Sequence, residues 1–434
     1  MVDVRPFHGL RHAGLAPDKI GEVTSPPYDV FDPEMQRAYH ERHPHNIIRL
    51  ILGLIEPGET DDAGRIGRAA KCIETWKREG VLALDEAPAL YPYLQKFTLP
   101  DGTALERRAF FTSVRLEKYG EGKIHPHEQT FPKTKTFLFN LYGSCGTHFG
   151  PIFSFYDDPA DAASKTLAAS MAGNPIADFE EDGVHHTLWR CDNPEAIVAV
   201  QEALSGRDAF IADGHHRYET SLNLKDAARK NGAVKGGEAD YTLMCLANAS
   251  DPGMAVLPTH RLLKKIGATV DDVLAKIAPG YEITEAPAPA VGEGSMVARK
   301  LKELAEGGRT AFCLYDGKGP LRYLVKKESG AAVGGVDEAV ASLDVSRLHA
   351  DIVDSAFAVS HDEADTAFTP DPEIALAAAR KGECKVVILL NPTPVEAVVK
   401  IASAGGKMPH KSTYFFPKLR SGLVFHAFAP PATD

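Results

Sequence analysis

No apolar run in these 434 residues approaches the length needed to span a bilayer, so a membrane-spanning helix is not expected. The first residues, Met1-Val2-Asp3-Val4-Arg5-Pro6, hold no hydrophobic signal region. Cysteine is scarce: six residues, at 72, 145, 191, 245, 313 and 384, fall without paired spacing, which suggests neither a zinc site nor a disulfide framework. A reducing cytoplasm is the expected home. Positive charge is also in deficit. The formal net charge of -11 argues against a protein that wraps nucleic acid, because phosphate neutralisation needs a basic face. Gly-x-Ser-x-Gly and His-Glu-x-x-His are missing, as are a full P-loop and a strong Rossmann fingerprint.

What remains is a soluble-type composition, 44% hydrophobic and 25% charged, on a chain too long for one simple core. Two domains are expected, residues 1–265 and 266–434, in a mixed α/β (α+β) arrangement. Asp32-Pro33-Glu34 opens a helix, with an N-cap and proline at the first helical position. Ala63 to Glu79 is an amphipathic helix with Ile66, Ala69, Ala70, Ile73 and Trp76 on one face. Asn46–Leu52 reads as a buried strand. Ala89–Phe97 and Arg107–Val114 flank the turn at Pro100-Asp101-Gly102 as a hairpin, with Pro92 favouring a sheet edge for the first of them. Beyond about Ala268 helices alternate with strands, and Thr284–Gly294 reads as a loop or linker.

Three polar clusters can carry chemistry. Asp213-Gly214-His215-His216-Arg217 follows the apolar run Ala209–Ala212 and precedes a helical segment. It therefore sits at a strand-to-helix turn, where unpaired N–H groups and the helix dipole favour anions. Arg217 can fork onto phosphoryl oxygens, His215 and His216 can donate to them, and Asp213 can hold magnesium. A capped helix start would explain a lone Asp-Gly, but two histidines and an arginine behind a buried strand favour a functional turn. His125-Pro126-His127-Glu128-Gln129 is held extended by its proline and offers Glu128 as a general base, or is simply a polar loop. Lys133, Thr134, Lys135 and Thr136 follow as a phosphate-facing loop would. Pro409-His410-Lys411-Ser412-Thr413-Tyr414, with Pro417 to Gly422 after it, is either a phosphate clamp or an exposed basic loop. His260-Arg261 lines the same cleft or ends a strand. His185-His186 is as readily a solvated pair, and Cys145 has no evident activating partner.

In this order the three clusters resemble the free L-serine kinases, which are built on a ParB/sulfiredoxin-like fold. The matches are Pro126-His127-Glu128-Gln129, Asp213–Arg217 and Pro409–Thr413. With Pro26-Pro27-Tyr28-Asp29-Val30 and Leu257-Pro258-Thr259-His260-Arg261, the whole chain looks like a member of a large prokaryotic family, the domain of unknown function 1015 family. The resemblance implies a ParB/sulfiredoxin-like core with an N-terminal elaboration, and a C-terminal α/β domain closing the active-site cleft. It implies Glu128 as the base for the serine hydroxyl, with His127 binding the substrate. Asp213 organises Mg²⁺ or assists proton transfer. Gly214, His215, His216 and Arg217 surround the phosphoryl group, and Lys411, Ser412 and Thr413 contact donor or amino acid. The implied reaction makes O-phospho-L-serine, with ADP, ATP or pyrophosphate as donor. A ParB-like nucleotide-binding regulatory module is the alternative. A sulfiredoxin-like enzyme, which needs a cysteine at the turn, and a metal-dependent hydrolase rank lower.

Overall fold

The computed structural model describes residues 2–232, 235–327, 336–359 and 365–428. The chain is a mixed α/β protein with several sheets. It forms two compact units. The first runs to Phe97, resumes over Ala104–Met254, and takes back the chain from Pro417; the second comprises Thr98–Thr103 and Ala255–Phe416. The chain thus leaves the first unit after Met254 rather than after residue 265, and its last segment returns. The return has a physical cause: the strand Phe425–Ala427 pairs between Gly9–His12 and Thr147–His148 in a four-stranded sheet. No local composition announces a strand that completes a distant sheet. Among the described residues no helix is long and apolar enough to cross a membrane.

The first unit is organised on a nine-stranded sheet. From one edge its order is Ile124–His125, Ala209–Asp213, Ile152–Tyr156, Tyr241–Asn248, Ala104–Arg115, Tyr91–Thr98, Val184–Leu188 and Ala177–Glu181, with Val4–Arg5 also on Ala104–Arg115. Ala209–Ala212 is apolar without alternation because it is buried on both faces. It runs parallel to Ile124–His125 and antiparallel to Ile152–Tyr156, with an irregular register between Ile211 and Asp213. A bulge of this kind re-aims the next side chain.

The helices Pro33–Arg42, capped by Asp32, and Ala63–Arg78, burying Ile66, Ala69, Ile73 and Trp76, form where the sequence places them. Asn46–Leu52 does not form a strand. Ile48–Ile51 is a short helix, and the Asn46 side chain accepts from the Ile48 N–H while donating to the Glu22 and Thr24 carbonyls. A short apolar run fits either form, and here a side chain competing for backbone groups decides. Pro92 lies in an interior strand, not at an edge. It sits near that strand's end, where its carbonyl still accepts from the Trp189 N–H at 2.9 Å.

The second unit holds an antiparallel six-stranded sheet: Tyr281–Ala286, Leu321–Lys326, Ala311–Tyr315, Val386–Leu390, His260–Leu263, Thr366–Thr369. Helices Gly294–Leu304 and Pro372–Lys381 pack their Val297, Leu301, Ala375 and Leu376 into its core. The expected loop at Thr284 starts later, because Tyr281–Ala286 stays paired as far as Ala286.

Candidate active site

Strand Ala209–Asp213 ends where helix His215–Lys230 begins, and Gly214 makes the corner at φ +96°. Glycine is required twice over: the left-handed backbone disfavours a side chain, and a Cβ there would lie 2.9 Å from Arg217 Nε. Arg217, in the first turn of the helix, folds back over the corner and donates to Asp213 Oδ2 and to the Pro151 carbonyl. Lys418 donates to the other carboxylate oxygen, Oδ1. Burial alone would raise the Asp213 pKa, but Lys418 and Arg217 outweigh it and hold the carboxyl well below its usual range. Two cations thus meet one carboxylate at the start of a sixteen-residue helix. The local balance is positive, and the helix dipole adds to it.

The two histidines face the segment between Ile124–His125 and helix Pro132–Cys145. His215 Nε2 accepts the His127 N–H at 3.2 Å, and His216 Nε2 accepts the Phe131 N–H at 2.9 Å. An accepting nitrogen carries no proton, so the proton of a neutral His215 belongs on Nδ1. That atom lies 3.5 Å from Glu128 Oε2. Burial lowers the His216 pKa and keeps its ring neutral, as an acceptor must be. Further along, Thr130 Oγ1 and Lys135 Nζ donate to Glu219 Oε2 at 2.6 and 2.8 Å. His215, His216 and Glu219 thereby tie the Pro126–Phe131 segment to one helix, and the tie fixes where Glu128 points. His215 is buried, whereas the Glu128 side chain keeps 26% exposure, enough to meet a ligand.

A third wall comes from the N-terminal segment. Ser25 and Ser421 exchange backbone hydrogen bonds at 3.1 and 2.8 Å. Tyr28 lines a small cavity with Tyr142, Gly150, Arg217 and Ser421. The field of Asp29 acts on both Arg217 and His216. A larger cavity of about 390 Å³, lined by residues including Arg11, His12, Ile20 and Asp85, contains none of these groups.

The first unit therefore gathers His127, Glu128, Asp213, Gly214, His215, His216 and Arg217. Lys411, Ser412 and Thr413 belong to the second unit, Lys411 exposed and the other two buried. Lys133, Thr134, Lys135 and Thr136 lie on a helix and not on a loop. Proline at the first helical position of Pro132–Cys145 was the overlooked signal. Cys145 is buried at the end of that helix, its thiol pushed up to about 12 by burial, which removes it as a nucleophile. His186 is buried against Tyr93 Oη at 2.5 Å, and His185 pairs with Asp178 at 2.8 Å. Lys418 and Glu219 were not singled out by sequence. Lys418 lies only in a basic stretch, but Glu219 stands at i+4 from His215 on the same helix face.

Lys418 and Arg217 each donate to one oxygen of Asp213, so a magnesium ion held directly by that carboxylate would stand against two cations, which disfavours it there. Among the described residues no three His, Cys, Asp or Glu side chains gather as metal ligands.

No curated protein matches the sequence. Among solved structures, a conserved hypothetical protein from Pyrococcus furiosus is 18% identical with a TM-score of 0.32, covering 69% of this chain and 92% of that one. A free serine kinase in complex with AMP is 17% identical with a TM-score of 0.33, covering 70% and 88%. A mutant free serine kinase in complex with ADP is 16% identical with a TM-score of 0.35, covering 70% and 89%. The family model described as Protein of unknown function (DUF1015) matches residues 4–346, and the chain belongs to that family.

Proposed function

We propose that this protein is a small-molecule phosphotransferase acting on an alcohol, with free L-serine as acceptor and ADP, ATP or pyrophosphate as donor. One observation carries the reading: a partly exposed carboxylate, Glu128, stands 3.5 Å from a buried histidine of the very helix whose first turn bears Arg217, and Lys418 from the returning segment meets Arg217 on Asp213 at the start of that helix. In that arrangement Glu128 Oε2 accepts the serine hydroxyl proton as the hydroxyl oxygen bonds to phosphorus. The bond from phosphorus to the bridging oxygen breaks, and the shortened donor leaves with that electron pair. Phosphoryl transfer needs positioning and charge neutralisation more than covalent help from the protein. Arg217, Lys418 and the N–H groups of the helix start supply the positive side. His215 and His216 act as positioning residues, each spending Nε2 on a backbone amide. Lys411, Ser412 and Thr413 are assigned to donor or amino acid on the sequence motif alone, as is the ParB/sulfiredoxin-like character of the core.

The test is direct. Purified protein, Mg²⁺ and serine are incubated with each donor, and phosphoserine is measured by mass spectrometry. Phosphoserine from at least one donor is expected. Nucleotide binding without turnover from any donor sinks the reading in favour of a regulatory nucleotide-binding module.

A further inference from the structure

In the second unit, three consecutive residues carry buried side-chain polar atoms that have no hydrogen-bond partner: Thr259 Oγ1, His260 Nε2 and Arg261 Nε. Arg261 is wholly buried. Its terminal nitrogens donate only to carbonyls, those of Thr259 and, at 3.2 Å, Lys411. The Phe368 ring lies 5.4 Å from its Cζ. No carboxylate among the described residues pairs with it, unlike Arg217 with its Asp213. Burying a guanidinium without an opposite charge is costly, and such groups persist where a ligand completes them. Carbonyl dipoles satisfy its N–H groups but leave its charge standing.

The carbonyl on Arg261 belongs to a strained residue. Lys411 has φ +57°, a left-handed conformation that non-glycine residues rarely adopt. Its loop is held by Thr393 Oγ1 donating to the Ser412 carbonyl at 2.8 Å and by Ser412 Oγ donating to the Pro409 carbonyl at 2.5 Å. The strain is retained while the Lys411 side chain stays exposed.

We propose that Arg261, Thr259 and Lys411 form an oxyanion site within the second unit that takes a phosphate group, which replaces the Lys411 carbonyl on the guanidinium. Thr259 directly precedes the strand His260–Leu263, and Arg261 reaches back to its carbonyl, which brings the hydroxyl and the fork toward one tetrahedral anion. Burial also pushes the Arg261 guanidinium down to about 9. The inference rests on the phosphotransferase reading only for choosing phosphate over carboxylate.

Calorimetric titration of the full chain with pyrophosphate, inorganic phosphate and acetate at constant ionic strength tests it. The wild type is expected to bind the two phosphates and not acetate. Arg261→Met should bind pyrophosphate at least about tenfold more weakly while melting no lower than wild type, since a buried charge without partner is gone. Unchanged pyrophosphate affinity in that variant overturns the proposal and makes Arg261 a brace for the loop. Acetate binding as tightly as phosphate overturns the phosphate assignment. Should Arg261→Met fail to fold, Thr259→Val decides, because it removes only the hydroxyl: weaker binding is expected, and unchanged binding overturns the site. Arg217→Met losing pyrophosphate while Arg261→Met keeps it places the anion in the first unit, overturning this inference and leaving the kinase reading intact. Arg261-dependent pyrophosphate binding without phosphoserine from any donor does the reverse.

Discussion

His215 Nδ1 lies 3.5 Å from Glu128 Oε2 while the opposite ring nitrogen accepts the His127 N–H. One imidazole thus fixes the backbone before Glu128 and orients its carboxylate.

Glu128→Gln keeps the shape of the side chain and removes the proton acceptor. It should lower kcat about 10²–10⁴-fold with little change in melting temperature, as general-base contributions of this kind run. Phosphoserine formation at near wild-type rate would remove Glu128 from the mechanism.

His215→Phe preserves ring volume but leaves the buried His127 N–H without its acceptor. A cost of about 1–3 kcal/mol in unfolding free energy is expected. His215→Gln, which can offer an acceptor, should recover part of it. Equal denaturation midpoints for the two variants would show that the hydrogen bond contributes nothing.

Gly214→Ala forces a side chain into the left-handed corner and against Arg217 Nε. The backbone penalty is about 1–2 kcal/mol. Because the guanidinium must move, affinity for the donor should fall as well. A variant as stable and active as wild type would contradict the geometry of the corner.

Stability should decline as pH falls below about 6.5, the ordinary histidine value. His12 is lowered to about 4 by burial, which the His45 carbonyl only partly offsets. His148 is held well below its ordinary value by burial and by the stacked His426, whose Nδ1 lies 3.2 Å from its own. Ser221 also meets His148, and Glu238 and Ser113 meet His426. Both depressed histidines bind protons more readily in the unfolded chain, so their contribution is complete above that value and is lost as pH falls through the folded one. For His12 the loss reaches roughly 3 kcal/mol near pH 4. Asp213, also depressed, adds a loss below about pH 4. Urea midpoints between pH 7 and pH 4 measure this, and His12→Asn should flatten the slope. A midpoint independent of pH would mean these rings are not buried neutral.

The site turn was legible because its information is local. An apolar run, a glycine and a cluster of His, Asp and Arg specify a buried strand, a left-handed corner and a helix start within nine residues, and Ala209–Arg217 forms them. The Asp32 cap was legible for the same reason. Asn46–Leu52 was not, because an apolar run shorter than two helical turns satisfies both periods, and Asn46 settles the choice through carbonyls of residues 22 and 24.

By itself, then, the sequence determined which segments form the turn and which side chains meet across one helix start, since backbone conformation and i, i+4 neighbours follow from nearby residues. Tertiary structure alone decided that the chain returns from Pro417 to place Lys418 on Asp213, 205 residues away. It also decided that His215 and His216 serve as acceptors for a distant backbone. Such contacts arise from sheet pairing between remote strands, where the gain lies in burial and hydrogen bonds that no local stretch contains.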